Sequence, residues 1–229
     1  MKSVSPILLG LIMSLTACSQ LGAKSHVQQS SLSTSQTTCE KTGDADTSMN
    51  LDLIEQLMQS GRLYAALAHL DNLRSDSLYA TYLRAEILRQ SNRDQEAAEY
   101  YQSLLPTCMA GEAHHGLGLI AGRKNLLNQA VEHLTLAAEK LPVNARIRND
   151  LGYALLLQGR FEKAQREFLT ALELEQDAPL AETNMMILLL ATGEQAKAEA
   201  FAKKINMDTQ TVTDLNEQAM TIRAQTGSR

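Results

Sequence analysis

The chain contains 229 residues, and its 21 basic and 26 acidic side chains give a formal net charge of −5. This acidic balance argues against a nucleic-acid partner, because such binding depends on Lys and Arg side chains that neutralise phosphates. No stretch of the sequence reaches the roughly 20 consecutive apolar residues that a membrane-spanning helix needs. Composition therefore argues against nucleic-acid binding and against a membrane-spanning helix.

The first 17 residues have the pattern of a secretory signal peptide. Lys2 gives a positively charged start, an apolar run covers residues 4–15, and small residues follow it. The run is about a dozen residues long, which is shorter than the roughly 20 that span a bilayer. This order of segments predicts a cleaved leader over residues 1–17.

The leader ends in Leu15-Thr16-Ala17-Cys18, which resembles the lipobox of bacterial lipoproteins. The resemblance implies that the Cys18 thiol receives a diacylglyceryl group and that the leader is cut before it. Several acyl chains would then anchor the protein. The following serine resembles residues that direct such lipoproteins to the outer membrane, so we expect the protein on the periplasmic face of that membrane. The alternative is an ordinary leader followed by a chance cysteine.

Residues 18–46 are rich in Ser, Thr and Gln, as in "VQQSSLSTSQTT". Such a segment cannot bury enough apolar surface to order itself, so we predict a flexible tether that begins at the lipidated cysteine. A chain of about 28 residues with this composition has a mean reach of about 30 Å. The tether would hold a folded domain near the membrane surface.

Residues 145–178 have the period of a helix–turn–helix unit. Gly152 lies in the first helix, Gly159 breaks it, and Ala164, Phe168 and Ala171 follow at helical spacing. The pattern resembles the tetratricopeptide repeat, a unit of about 34 residues in which small residues let two antiparallel helices approach closely. The same pattern recurs along the chain with this period, although the spacing is shorter in two of the connections. It predicts five units, at residues 47–77, 78–110, 111–144, 145–178 and 179–212.

A further amphipathic segment follows the last unit. Leu215, Ala219 and Ile222 recur at helical spacing, which predicts a capping helix over residues 208–224 and a disordered tail over 225–229. End units of such arrays need a cover with a polar outer side. The predicted fold is therefore an all-α tetratricopeptide-repeat solenoid of about five helix–turn–helix units with a C-terminal capping helix.

The sequence contains no convincing catalytic or metal constellation. Cys108, His114 and His115 are zinc-ligand types, but adjacent histidines point about 100° apart on a helix and no fourth ligand follows at a usable spacing. The glycines of "GLGLIAG", residues 116–122, resemble a phosphate loop, yet no strand precedes them. We predict a protein that is not an enzyme and has no metal, no small-molecule substrate and no cofactor beyond the lipid on Cys18.

Two cysteines remain once Cys18 is acylated. Cys39 lies in the predicted tether and Cys108 in a connection between helices. An oxidising periplasm makes a disulfide between them one interpretation, which would fasten the N-terminal segment to the folded region. Two free thiols are the other interpretation.

The repeat resemblance also implies a binding groove lined by the first helix of each unit. Positions 2, 5, 9, 12 and 13 of the repeat would face this groove. The groove would be polar and aromatic in its first part and apolar toward the C-terminus. Tyrosine is a favoured contact residue, although each tyrosine here could instead pack against the neighbouring unit. The predicted groove residues are Tyr79, Tyr82, Glu86, Arg89, His115, Leu119, Arg123, Arg146, Asn149 and Tyr153, and Glu112 holds a further groove position.

A lipobox followed by these repeats is similar to the lipoproteins of the tight-adherence (Flp) pilus assembly systems, in stretches such as "NDLGYALLLQGRFEKA" and "ETNMMILLLATGEQAKAEA". That resemblance implies a scaffold or pilotin-like factor whose groove binds a pilus secretin or another pilus assembly protein. The pilotin of type IV pilus systems also combines these features, but with a shorter tether, so a type IV pilus or type II secretion pilotin is an alternative. An adaptor that binds peptidoglycan enzymes during envelope maintenance is a further alternative.

Overall fold

The computed structural model describes residues 45–227, and this range folds into eleven α-helices without a strand. The described residues all belong to one compact unit, Thr37–Arg229. The predicted leader, the lipidated Cys18 and the tether up to residue 44 lie outside the described residues. The helices are α1 (Ala45–Gln59), α2 (Leu63–Leu73), α3 (Leu78–Gln90), α4 (Asp94–Leu104), α5 (Ala110–Arg123), α6 (Leu127–Lys140), α7 (Ala145–Leu157), α8 (Phe161–Leu174), α9 (Pro179–Thr192), α10 (Gln195–Lys204) and α11 (Thr209–Gly227).

Consecutive helices pack as five pairs, from α1 with α2 to α9 with α10. The first helices of neighbouring pairs also contact each other in chain order, from α1 with α3 to α7 with α9, and α11 packs on α9. This arrangement confirms the predicted all-α solenoid with a C-terminal capping helix. The first helices therefore form a continuous row along one side of the described chain.

A residue with a left-handed backbone ends the first helix of every pair. Such a residue reverses the chain after a helix, and glycine or asparagine adopts the conformation most readily. Their spacings of 31, 33, 34 and 34 residues reproduce the slippage seen in the sequence. The five residues are Gly61, Asn92, Asn125, Gly159 and Gly193.

Small residues in the first helices accept large side chains from the second helices. A Cβ atom at Gly152 would lie 2.6 Å from Cε1 of Phe168, and one at Gly116 would lie 2.1 Å from Cζ of Tyr101. The Phe168 and Tyr101 side chains are completely buried. Each ring thus occupies space that only glycine leaves open, and this close packing fixes the spacing between the helices.

Helix α11 covers the apolar end of the array. Its Leu215, Ala219 and Ile222 are buried in the same cluster as Ile187 and Leu190 of α9. The apolar surface of the fifth unit therefore packs against the capping helix. Helix α11 runs to Gly227, so the chain is helical beyond the predicted helix end at residue 224.

Candidate protein-binding groove

Five of the predicted groove residues line one hollow, which we call the polar depression. It has a volume of about 550 Å³ and is lined by Tyr79, Tyr82, Glu86, Arg89 and Arg146. Helix α1 adds further side chains to its wall. Because α1, α3 and α7 border the same hollow, the row of first helices must curve around it. The α1 contribution consists of Glu55, Met58 and Gln59.

Sequence reasoning assigned no groove residue to the first unit and so missed the α1 side chains. The signal was present, because Glu55 precedes Glu86 by 31 residues, as Gly61 precedes Asn92. Residues at equivalent repeat positions face the same side of the solenoid. The groove therefore begins at α1, one unit earlier than predicted.

Glu86 and Arg89 form a buried ion pair in the floor of the polar depression. Each residue is 8% exposed. The Arg89 guanidinium donates to the Glu86 carboxylate from Nη2 at 2.7 Å and from Nε at 3.2 Å. The Tyr101 hydroxyl from α4 donates to the same carboxylate. These two predicted groove residues are thus engaged in the fold and are not free to contact a partner through their charged groups.

The charges around Glu86 alter its protonation. Burial acts to raise the pKa of the carboxyl, but the hydrogen bonds and positive charge of Arg89 outweigh it and hold the pKa below its usual value. Burial and the Glu86 charge raise the pKa of the Tyr101 phenol. Glu86 is therefore an anion that is fully engaged by its neighbours.

Tyr79 and Tyr82 form the aromatic wall of the polar depression. Their ring centroids lie 6.0 Å apart with a tilt of 44° between the planes. Both rings pack against the two N-terminal hydrophobic clusters, and the Tyr79 hydroxyl donates to the Glu55 carboxylate. Burial and the Glu55 carboxylate raise the pKa of Tyr79. Each tyrosine thus packs in the fold and also lines the hollow.

A second hollow of about 280 Å³, the apolar depression, lies between α5, α6 and α7. Leu119, Arg123 and Tyr153 line it together with Leu127 and Leu157. Tyr153 is 40% exposed. Its ring is therefore the predicted tyrosine most accessible to a partner, since Tyr79 and Tyr82 are half-buried.

Polar side chains join each first helix to the next. Arg123 of α5 donates from Nη1 and Nη2, at 3.2 Å each, to the carbonyl oxygen of Arg89 in α3. His115 of α5 lies 2.7 Å from Asp150 of α7. These contacts hold the groove wall together, so the predicted residues Arg123 and His115 also have a structural role.

The same kind of bridge continues at the C-terminal end. The amide of Asn184 in α9 donates to Oδ1 of Asn149 in α7 at 2.9 Å. Asn149 and Arg146 line a third hollow of about 180 Å³, with Ala178 and Leu180. All predicted groove residues except His115 and Glu112 thus border one of the three hollows, and His115 contacts Asp150, which borders the apolar depression.

Within residues 45–227, no group of three or more His, Cys, Asp or Glu side chains could hold a metal ion. The histidines that follow Cys108 point to different partners, since His115 contacts Asp150 and His114 contacts His133. Cys108 is disulfide-bonded. Cys39 lies outside the described residues, so its pairing with Cys108 stays a prediction.

The His114–His133 pair predicts a loss of stability in mild acid. Their Nδ1 atoms lie 3.0 Å apart. Burial lowers the pKa of both imidazoles; the His133 and Lys140 charges lower that of His114 further, and Glu132 opposes the shift. The pKa of each imidazole in the folded state lies below its unfolded value of about 6.5. The contribution of the neutral pair to stability is therefore fully present above about pH 6.5 and is lost as the pH decreases below that value.

The melting temperature should therefore drop between about pH 7.5 and about pH 5.5. His133→Gln should reduce the drop, whereas substitution of the exposed His69 should leave it unchanged. An identical pH dependence in the His133 variant would contradict the assignment.

Helix pairs stacked into a curved row, with a groove along the first helices, define a helical-repeat solenoid of the kind that binds peptides and proteins. The chain belongs to the tetratricopeptide repeat family, whose model matches residues 51–112 and 115–181. No helix in the described part of the chain has the length and apolar character needed to cross a membrane.

One relative is TPR repeat-containing protein PA4299 of Pseudomonas aeruginosa. It is 39% identical over 170 residues, which cover 74% of this chain and 69% of the relative. Among solved structures, Pseudomonas aeruginosa pilF matches with a TM-score of 0.62 and 17% identity, over 79% of this chain and 86% of that one. MamA AMB-1 matches with a TM-score of 0.52 and 22% identity, over 69% and 95%. The structural matches support the fold.

Proposed function

We propose that this protein is an outer-membrane lipoprotein that serves as a scaffold or pilotin-like factor in the assembly of a tight-adherence (Flp) pilus and its secretin. The observation that carries the proposal is the groove, where three hollows follow one another along the row of first helices. A solved tetratricopeptide protein, YrrB, has been described as having an unusual peptide-binding site, which supports a peptide-binding role for such arrays.

The anchor and the pathway rest on the sequence. The lipobox at Cys18 supports attachment to a membrane, and the resemblance to tight-adherence lipoproteins supports a pilus partner. Two or more acyl chains give stable attachment, because each buried CH₂ contributes about 0.8 kcal/mol. The lipid would hold the array at the periplasmic face of the outer membrane, and the groove would bind a segment of the secretin or of another pilus assembly protein.

Loss of the lipidation site should release the protein from the membrane. In a Cys18→Ser variant no thiol is available for acylation, so we expect the protein to appear in the soluble periplasmic fraction. Separation of outer-membrane and soluble fractions, followed by immunoblotting, measures the effect. Cys39→Ser is the control and should remain in the outer membrane. Retention of the Cys18 variant there would contradict the anchor.

Truncation of the accessible groove tyrosine should weaken partner binding. We expect Tyr153→Ala to reduce co-purification of the secretin by about fivefold or more, because hot-spot tyrosines contribute about 1 kcal/mol or more to binding. Stability should change by no more than about 0.5 kcal/mol, as is usual for exposed positions. The matched control is Tyr64→Ala on α2, where the side chain is 84% exposed and borders none of the three hollows.

Equal binding by both tyrosine variants would contradict the groove as the contact surface. A defect in both secretin binding and folding of Tyr153→Ala would instead assign the ring to the core. Normal secretin assembly in cells that lack the protein would remove the pilus function altogether.

A further inference from the structure

The chain carries one cation in each of four successive connections at one edge of the solenoid. A connection of two or three residues joins the two antiparallel helices of every pair, at the end of the first helix. Because the first helices form a row, these connections follow one another along a single edge. The four cations, which we call the basic edge, are Arg62, Arg93, Lys124 and Arg160.

The opposite edge of the solenoid has the reverse charge. The connections that lead from each pair to the next helix contain one basic residue, Arg74, and four acidic residues. The connections at the basic edge contain the four cations and one acidic residue, Glu194. Helix dipoles do not account for this separation, because both edges hold helix N-termini and C-termini. The four acidic residues of the opposite edge are Asp76, Glu175, Asp177 and Asp208.

Three of the four cations have no acidic partner within residues 45–227. Arg93 is the exception, since its guanidinium lies 2.6 Å from the Glu96 carboxylate. Arg62 and Arg160 donate hydrogen bonds to neutral side chains of their own connections. Lys124 forms no ion pair in the same range. All four side chains are exposed, so their charges are open to a partner.

Other acidic side chains near the basic edge are accompanied by further cations. Asp94 in the first turn of α4 lies 3.2 Å from the Arg123 guanidinium. Glu162 in the first turn of α8 is followed by Lys163. The edge therefore keeps an excess of positive charge along four units, although the whole chain is acidic.

Exposed apolar side chains lie beside the cations. Tyr64 in the first turn of α2 is 84% exposed, and Leu126, in the same connection as Lys124, is 45% exposed. Cations next to exposed aromatic and aliphatic groups are typical of protein surfaces that lie among lipid head groups. An acidic protein segment would use only the cations, whereas a lipid surface also accepts the apolar groups. The composition of the edge thus favours a membrane surface.

The acidic edge lies too far away to oppose such a contact. First helices of 13 to 15 residues separate the two edges by about 20 Å. The Debye length is about 10 Å at 0.1 M salt, so charges on the far edge are largely screened from a surface at the basic edge. Helix α1 begins at the acidic edge, and the predicted tether has a mean reach of about 30 Å. This reach exceeds the length of a helix, so the basic edge can meet the membrane that holds the anchor.

We propose that the basic edge docks on the anionic head groups of the membrane that holds the lipid anchor. The proposal rests on the proposed function for the anchor, and it specifies how the array lies on the membrane. Each basic residue near an anionic surface increases association about fivefold, and the anchor keeps that surface within reach. None of the four cations borders a hollow, so docking by this edge leaves the groove open to a partner.

Tryptophan fluorescence reports which edge meets the lipid, because the chain contains no tryptophan of its own. Tyr64→Trp places a reporter at the basic edge, and Val143→Trp places one at a position of the acidic edge that is 77% exposed. The full lipidated chain is reconstituted in vesicles of phosphatidylcholine and phosphatidylglycerol that contain lipid brominated close to the head groups. Bromine should quench the emission of the Tyr64→Trp protein and leave that of the Val143→Trp protein unchanged.

Charge reversal then tests the cause of docking. Quenching of the Tyr64→Trp reporter should be lost when Arg62→Glu, Lys124→Glu and Arg160→Glu are combined, because association should fall by more than about a hundredfold. Quenching should also be lost at about 1 M salt, where the Debye length is about 3 Å. A matched control makes the same change of charge at exposed positions of the opposite edge and should retain the quenching. Its substitutions are Arg74→Glu, Lys203→Glu and Lys204→Glu.

Quenching of the Val143→Trp reporter in place of the Tyr64→Trp reporter would overturn the proposal. Absence of quenching at both positions, or equal quenching in vesicles of phosphatidylcholine alone, would also overturn it. If charge reversal abolished co-purification of the secretin and left quenching unchanged, the basic edge would bind an acidic protein segment instead of the membrane.

Failure of the anchor gives a separate result. A chain that is not retained on phosphatidylcholine vesicles at high salt would contradict the lipid attachment in the proposed function. The basic edge would then be tested by retention of the same chain on vesicles that contain phosphatidylglycerol. We expect retention there at low salt and its loss in the Arg62, Lys124 and Arg160 charge-reversal variant; absence of retention would overturn the proposal.

Discussion

The Gly116→Ala variant is expected to be less stable than the wild type by about 3 kcal/mol, at the upper end of the usual cost of overpacking a core. The new Cβ would lie 2.1 Å from Cζ of Tyr101. The ring cannot move away easily, because it is completely buried and its hydroxyl is bound to Glu86. Urea unfolding followed by circular dichroism measures the loss.

The same helix offers a matched control. A Cβ at Gly122 of α5 would lie 4.0 Å from the Cβ of Ala130, which is an ordinary contact. Gly122→Ala should therefore leave the stability unchanged or raise it by up to about 1 kcal/mol, because alanine favours helix more than glycine does. Equal stability of the two variants would show that Tyr101 does not occupy the space beside Gly116.

Removal of the Glu86 carboxylate should lower the free energy of unfolding by at least as much as Gly116→Ala does. Glu86→Ala leaves the Arg89 guanidinium buried without a counter-ion, and breaking a buried ion pair in this way costs about 3–5 kcal/mol. The Tyr101 hydroxyl loses its acceptor as well. The free energy of unfolding should fall accordingly, and urea unfolding followed by circular dichroism measures the loss.

Replacement of the whole network separates the cost of the unpaired charge from loss of packing. A variant that combines Glu86→Met, Arg89→Met and Tyr101→Phe removes every charged or polar member together, and apolar replacements of buried pairs are often nearly neutral. We expect it to lie within about 1 kcal/mol of the wild type. A loss of less than about 1 kcal/mol in Glu86→Ala would show instead that water reaches the pair.

The buried network explains how a solenoid built from short units presents a defined groove. Tyr101 passes from the second helix of its unit to the groove floor, where it meets Glu86 beside Gly116. Arg123 fixes the neighbouring first helix to the end of α3. Groups held by packing and hydrogen bonds lose little freedom when a partner binds, so the groove is largely formed before binding.

The repeat architecture could be predicted from the sequence because it depends on local rules. Gly61, Gly159 and Gly193 marked the turns, and the helical spacing of apolar residues marked the helices. The distances between these turns predicted the unit lengths, including that of the short first unit. The orientation of a side chain toward the groove also follows from its position in the repeat, which is why Tyr79, Tyr82 and Arg146 reach the same hollow.

Which groove residues remain free for a partner depended on tertiary structure. Repeat position gives the direction of a side chain but not the partner that reaches it from another helix. Glu86 and Arg89 point toward the groove and neutralise each other, whereas Tyr153 is 40% exposed beside the apolar depression. The hollow itself exists because small rotations between units accumulate into a curve, so that α1 and α7 both border it. The sequence by itself determined the repeats and their face; only packing across helices decided which groove side chains are already bound within the fold.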